Sequence, residues 1–268
     1  MKNNKKSPLK NRPLHVAGQS LDEKIQNYIV YGLTILLIPV ILIVVIIIAW
    51  LNWAFPSIIA EWLNLASRNT PITIIISIIS LLGIIYCICR IIRLVKKIKS
   101  HKLGRDGERI VVEILDDLRS QGCVVFHDLV AENENFNIDH VILSPHGIFT
   151  VETKTFSKSP KDKITYKDDK IITGNINRGN KIILQAESES KWLKSILRES
   201  TGKNYYVMPV IVFPDWFVQP MPENLKKQIW ILNPKVLSSF INNEPITINE
   251  SDMHLAVFHI SRYIRMYN

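Results

Sequence analysis

Residues 137–154 read NIDHVILSPHGIFTVETK, two apolar-rich runs on either side of Ser144-Pro145-His146-Gly147. Short apolar runs flanking a Pro- and Gly-containing break predict a β-hairpin. With Ser144 to Gly147 as a four-residue loop, Leu143 faces Ile148, and the same count outward sets Asp139 directly opposite Glu152. Side chains alternate along a strand, so Lys154 shares the face of Glu152. Directly opposed side chains start about 4.5–5.5 Å apart at Cβ, a separation at which two carboxylates repel unless a cation lies between them. Three charged groups thus converge on one side of a strand pair built mostly from apolar residues. The plainer alternative is an exposed sheet face with ordinary cross-strand salt bridges.

The flanking segments have alternating helix and strand character. Asp106 to Arg119 carries Val111, Ile114, Leu115 and Leu118 on one face of a predicted helix, with Gly122 just past its end. Glu108 precedes Val111, Leu115 and Leu118 by three, seven and ten positions and therefore lies on the same stripe; near a helix start it is also a favourable partner for the helix dipole. Cys123 to Phe126 reads as a short strand, AENENF as a loop, KITYKDDKIIT as a polar hairpin, and Lys181 to Arg198 as a helix. On that helix Gln185 borders a face formed by Ile182, Ala186, Leu193 and Ile196, although a solvated position is equally open to it. The apolar run YYVMPVIVF, a strand at QIWIL and helices near Pro234 to Phe240 and Ser251 to Tyr263 complete the chain. A helix, antiparallel strands, a helix and a further strand predict an α/β sandwich with a mixed sheet.

Oxygen ligands from Asp139 and Glu152, with Glu108, suit a hard cation such as Mg2+ or Mn2+, which is commonly held by one or two carboxylates together with water and substrate phosphate. Phosphodiester hydrolysis uses such an ion, and Lys154 can orient water, help deprotonate it, or offset developing negative charge. Zinc ligation by Cys123, His127, His140 and His146 follows no recurrent spacing. Here the run GRDGERIVVEIL, followed by NIDHVILSPHGIFTVETK and a glutamine-bearing helix, resembles the nuclease-related domain (NERD) family, grouped with the PD-(D/E)XK nuclease fold. The resemblance covers residues 102–213 and rests on GxxGE, IDH and ExK in this order. It implies Glu108 as the helix acid, Asp139 as principal metal ligand, Glu152 as second ligand, Lys154 as the motif lysine and Gln185 as the glutamine of the following helix. It also implies a fold that can keep binding when turnover is lost.

The first third of the chain has a different composition. Tyr28 to Trp50 and Pro71 to Cys89 carry no charge, and they hold 23 and 19 residues, enough to cross a hydrocarbon core of about 30 Å. The resulting organisation is a basic N-terminal segment (1–27), a first span (28–53), an outer loop (54–70), a second span (71–92), a basic linker (93–105) and a nuclease-like domain (106–268). Lys2, Lys5, Lys6, Lys10, Arg12 and Lys24 precede the first span, and seven Lys or Arg with no acid fill residues 90–105. The positive-inside rule then places both termini and the soluble domain in the cytoplasm, as a multi-pass protein of a bacterial inner membrane. Two uncharged spans offer no polar pathway and disfavour a channel or transporter. Residues 153–203 hold twelve Lys or Arg against six acids, a surface suited to a phosphate backbone, so the expected partners are nucleic acid, in the first instance DNA, and the lipid bilayer. The competing reading is a membrane-tethered module that binds nucleic acid or protein without cleaving it.

Overall fold

The computed structural model describes residues 19–55, 70–132, 134, 136–157 and 162–267. The outer loop, apart from its ends, and most of the basic N-terminal segment lie outside the described residues. The chain divides into two compact units, Asp22–Lys102 and a second built on Leu103–Asn268.

In the first unit, α1 (Gln19–Ala54) packs against the first part of α2 (Thr70–Ser120). The helices run antiparallel, because partners descend along α2 as they ascend along α1. Gly32 lies against Leu94, Leu42 against Gly83, and Trp50 Nε1 donates to Ser77 Oγ at 3.1 Å. A Cβ at Gly32 or Gly83 would stand 2.8 Å from the opposing leucine, so these two glycines allow the close approach. Both helices are long and apolar enough to cross a membrane, with mean hydropathies of 3.2 and 2.7 over their most apolar stretches. Most of their large apolar side chains, Leu33, Leu37, Ile41, Ile79 and Leu82 among them, point outward.

The second unit is a mixed α/β fold. Its five-stranded sheet has the order β1-β2-β3-β7-β8, with β1 (Val124–Val130), β2 (Asn137–Ser144), β3 (Gly147–Thr153), β7 (Val207–Val212) and β8 (Trp230–Leu232). The β1-β2 and β2-β3 pairs are antiparallel, while β3-β7 and β7-β8 are parallel. A small sheet of β4 (Ile164–Lys167), β5 (Lys170–Thr173) and β6 (Ile176–Asn177) stands between β3 and α3 (Lys181–Thr201) in the chain. Its first turn is Asp168-Asp169, both in the left-handed region at φ 50° and 54°, the backbone a two-residue hairpin demands. Beyond β7 come α4 (Glu223–Lys226), β8, a 3-10 turn at Pro234–Val236, α5 (Leu237–Asn243) and α6 (Glu250–Tyr267).

Helices cover both faces of the large sheet. Val111, Leu115 and Leu118 of α2 pack with Val125, Ile142, Phe149 and Val151 on one side. Leu193 and Leu197 of α3, with Ala256, Ile260 and Ile264 of α6, pack with Val141, Leu143 and Ile148 on the other. All seven residues of β3 are buried, as its central place with covered faces requires.

Some boundaries differ from the sequence reading, for identifiable reasons. The helix predicted at Asp106–Arg119 is the last part of α2, and residues 93–105 are helical too. Glu108 is therefore an interior helix residue, and the helix-start role is excluded. Strand β1 runs on to Val130, past the predicted Phe126, because it pairs with β2 from Val124 opposite Leu143 to Val130 opposite Asn137. The expected four-residue hairpin loop is a two-residue turn, Pro145-His146, since Ser144 pairs with Gly147. The register is unchanged: Leu143 faces Ile148 and His140 faces Val151. On α3 the buried apolar residues are Ile183, Ala186, Leu193 and Leu197, a face turned slightly from the predicted Ile182 to Ile196 stripe.

Candidate active site

One further step of the β2-β3 register sets Asp139 opposite Glu152. Asp139 Oδ2 accepts a hydrogen bond from the Thr153 backbone N–H at 2.7 Å, which ties its carboxyl to the end of β3. Burial, then Glu152 and Glu108, drive Asp139 well above the usual carboxylate range, with the Thr153 N–H and Lys154 opposing. Glu108 thus lies near enough to be felt electrostatically. The glycine before it explains how α2 comes so close: a Cβ on Gly107 would stand 2.0 Å from Thr155 Cγ2, in the segment that carries Lys154. Only a glycine lets the helix backbone approach there.

Glu152 is buried in the middle of the sheet, and its Oε1 pairs with Lys154 Nζ. Gln185, one turn into α3, completes the cluster. Its Oε1 accepts from Lys154 Nζ at 3.2 Å and its Nε2 donates to Glu152 Oε1 at 2.9 Å. For Lys154, burial works against the charged form, but Glu152 beside it, with Asp139 and Glu189, outweighs this and raises its pKa. The ammonium is thereby favoured, which suits it to orient groups and offset negative charge and makes it a poor proton acceptor. Glu152, Lys154 and Gln185 are joined by direct contacts, Asp139 faces them across the strand pair, and Glu108 approaches from the neighbouring helix.

A sixth residue belongs to the cluster and escaped the sequence reading. Glu189 is fully buried on α3, one turn beyond Gln185, and its Oε1 accepts from Gln185 Nε2 at 2.9 Å. Burial pushes its pKa up to about 10, helped by Glu152 and Asp139. Its signal in the sequence is a gap: in the stripe Ala186, Leu193, Leu197, the position that should be apolar holds a carboxyl. An acid placed where a helix buries its apolar side needs a polar partner.

The donor chemistry fits a hard divalent cation. Glu152 Oε2 and Glu189 Oε2 are buried without a hydrogen-bond partner, and the acids outnumber the one lysine. Among the described residues no three His, Cys, Asp or Glu side chains are gathered closely enough to hold one ion together. An ion here would therefore take one or two carboxylates and complete its shell with water and phosphate, the usual habit of Mg2+. The histidines considered for zinc are engaged otherwise. His127 Nδ1 lies 2.9 Å from His140 Nδ1 across β1-β2, and His146 Nδ1 is 2.5 Å from the Glu244 carbonyl oxygen. A cavity of about 410 Å3 bordered by Trp216, Met221, Trp230 and Phe240 includes none of the site residues.

A mixed sheet sandwiched by helices, with an acid on the helix that leads into it and an Asp and a Glu-x-Lys on adjacent central strands, defines a nuclease-like fold. The family model described as nuclease-related domain (NERD) matches residues 103–214, and over this segment the chain is similar to that family. The match takes in Glu108, Asp139, Glu152, Lys154, Gln185 and Glu189, and stops before β8, α4, α5 and α6. No curated protein and no solved structure matches the chain.

Proposed function

We propose that the protein is a membrane-anchored, metal-dependent nuclease that hydrolyses phosphodiester bonds of DNA, or of RNA, at the cytoplasmic face of a bacterial inner membrane. The observation that carries this reading is the Lys154–Glu152–Gln185 contact set facing Asp139 within a segment similar to the nuclease-related domain family. Asp139 and Glu152 would hold Mg2+ or Mn2+, with Glu108 close enough to act on Asp139 electrostatically. A cation bound there supplies Lewis-acid polarisation of the phosphate and lowers the pKa of water. The Lys154 ammonium offsets the negative charge that develops on the attacked phosphate, and Gln185 keeps that ammonium and the Glu152 carboxylate in one geometry. Substrate approach is served by Lys181, Lys191, Lys194 and Arg198, which are exposed along α3, the helix that carries Gln185.

Anchoring is supported by the two apolar helices of the first unit, whose outward leucines and isoleucines find a suitable solvent in hydrocarbon. The charge flanks of residues 1–24 and 90–105 support the cytoplasmic orientation. A second reading, a tethered module that binds nucleic acid or protein without turnover, has one observation in its favour: Lys154 is already engaged by Glu152 and Gln185. The two are separated by incubating the full-length protein in detergent with single- and double-stranded DNA and RNA in Mg2+, Mn2+ or EDTA. Cleavage that EDTA abolishes supports the nuclease; binding without cleavage under every condition supports the tether.

A further inference from the structure

Gln185 has one amide oxygen and two amide hydrogens, and all three are committed. The oxygen faces Lys154 Nζ, while the nitrogen serves Glu152 Oε1 and Glu189 Oε1 together. Lys154 and Glu152 alone would choose which end of the amide faces which way, because reversal would set donor against donor and acceptor against acceptor. They would leave the second amide hydrogen unmatched in a partly buried place. Glu189 supplies the missing acceptor. It does so from a position where α3 otherwise buries apolar residues, four residues from Gln185 on the same face.

We propose that Glu189 is a positioning residue: through Gln185 it fixes the amide that holds Lys154 and Glu152 in the arrangement used for phosphodiester hydrolysis. The catalytic part of this inference rests on the nuclease reading, whereas the hydrogen-bond part stands without it. A glutamine at this position keeps an acceptor for Gln185 Nε2; a leucine removes it and leaves a side chain suited to the apolar stripe.

The test compares Glu189→Leu and Glu189→Gln in the full-length chain in detergent, with two readouts. The first is the side-chain amide resonance of Gln185, with glutamine side chains labelled by 15N and the signal assigned by its loss in Gln185→Leu. Wild type and Glu189→Gln should show both Nε2 hydrogens protected from exchange with solvent, and Glu189→Leu should show one of the two losing that protection, the two resonances staying distinct because the amide C–N bond does not rotate freely. The second is turnover of a fluorescent DNA substrate in Mg2+. Glu189→Leu should lower kcat at least about tenfold with KM and the Mg2+ midpoint within about twofold of wild type, and Glu189→Gln should recover most of it. Should the leucine variant misfold, Glu189→Ala serves the same comparison. Unchanged protection of the Gln185 Nε2 hydrogens in the leucine or alanine variant, or a folded glutamine variant that behaves like the leucine one, overturn the proposal. A wild-type protein without cleavage would count against the nuclease reading alone, and the amide readout would still decide the positioning role.

Discussion

Lys154 is held between a carboxylate and an amide oxygen, and its neighbourhood keeps it charged. If it acts by offsetting charge in the transition state, Lys154→Ala should lower turnover at least about tenfold while leaving the metal-binding carboxylates in place, since one lost transition-state contact commonly costs more than about 1.4 kcal/mol. Cleavage rates together with a Mn2+ titration of the same variant check this; equal loss of Mn2+ affinity would assign Lys154 to the metal site. At this scale the juxtaposition of Asp139, Glu152 and Lys154 is legible from spacing, because a strand's period of two and a short turn determine which side chains face each other. Glu189 is not. Its importance depends on which face of α3 meets the sheet, and a small rotation of that face separates a buried acid from a solvated one.

Between elements, the site depends on how closely α2 approaches the segment after β3. Gly107→Ala would drive a Cβ into Thr155. Alanine is the better helix former by about 1 kcal/mol, but overpacking a tight contact commonly costs about 1–3 kcal/mol. The variant should therefore be less stable in thermal denaturation and, by moving Glu108 and Lys154 apart, less active; an unchanged melting temperature and rate would contradict the close approach. Across β1 and β2, burial and then Arg119 lower the His127 pKa to about 4, with Asp116 opposing, while burial and then His127 hold His140 well below its usual value. Both folded-state values lie below the unfolded one, so the unfolded chain takes up protons that the native state refuses. Stability should fall as pH drops from about 6.5 toward about 4. Melting curves across that range for wild type and His127→Gln check this, with a smaller acid-side drop expected in the variant. The α2 boundary was illegible because the apolar span, the amphipathic basic run after it and the stripe from residue 106 read as separate segments, and no local pattern announces that one helix carries all three.

The whole molecule joins two units of opposite composition, and their separation is the feature most plainly written in the sequence, because uncharged stretches of 23 and 19 residues have few uses outside a membrane. The C-terminal elements were legible only as single strands and helices. Their places, β8 at the sheet edge and α6 over the β2-β3 face, follow from long-range packing that local pattern does not encode. For topology, a reporter fused after Asn268 should be active only in the cytoplasm and one inserted at Asn64 should read as exported; an inward Asn64 would remove the hairpin. The central claim, that Asp139 and its neighbours form a metal-dependent cleavage site, is tested most directly by comparing wild-type and Asp139→Ala full-length protein on one DNA substrate in Mg2+, with cleavage and binding followed together. The account predicts that wild type cleaves and EDTA stops it, and that the variant binds as well as wild type or better but does not cleave. A variant that cleaves at the wild-type rate would contradict it.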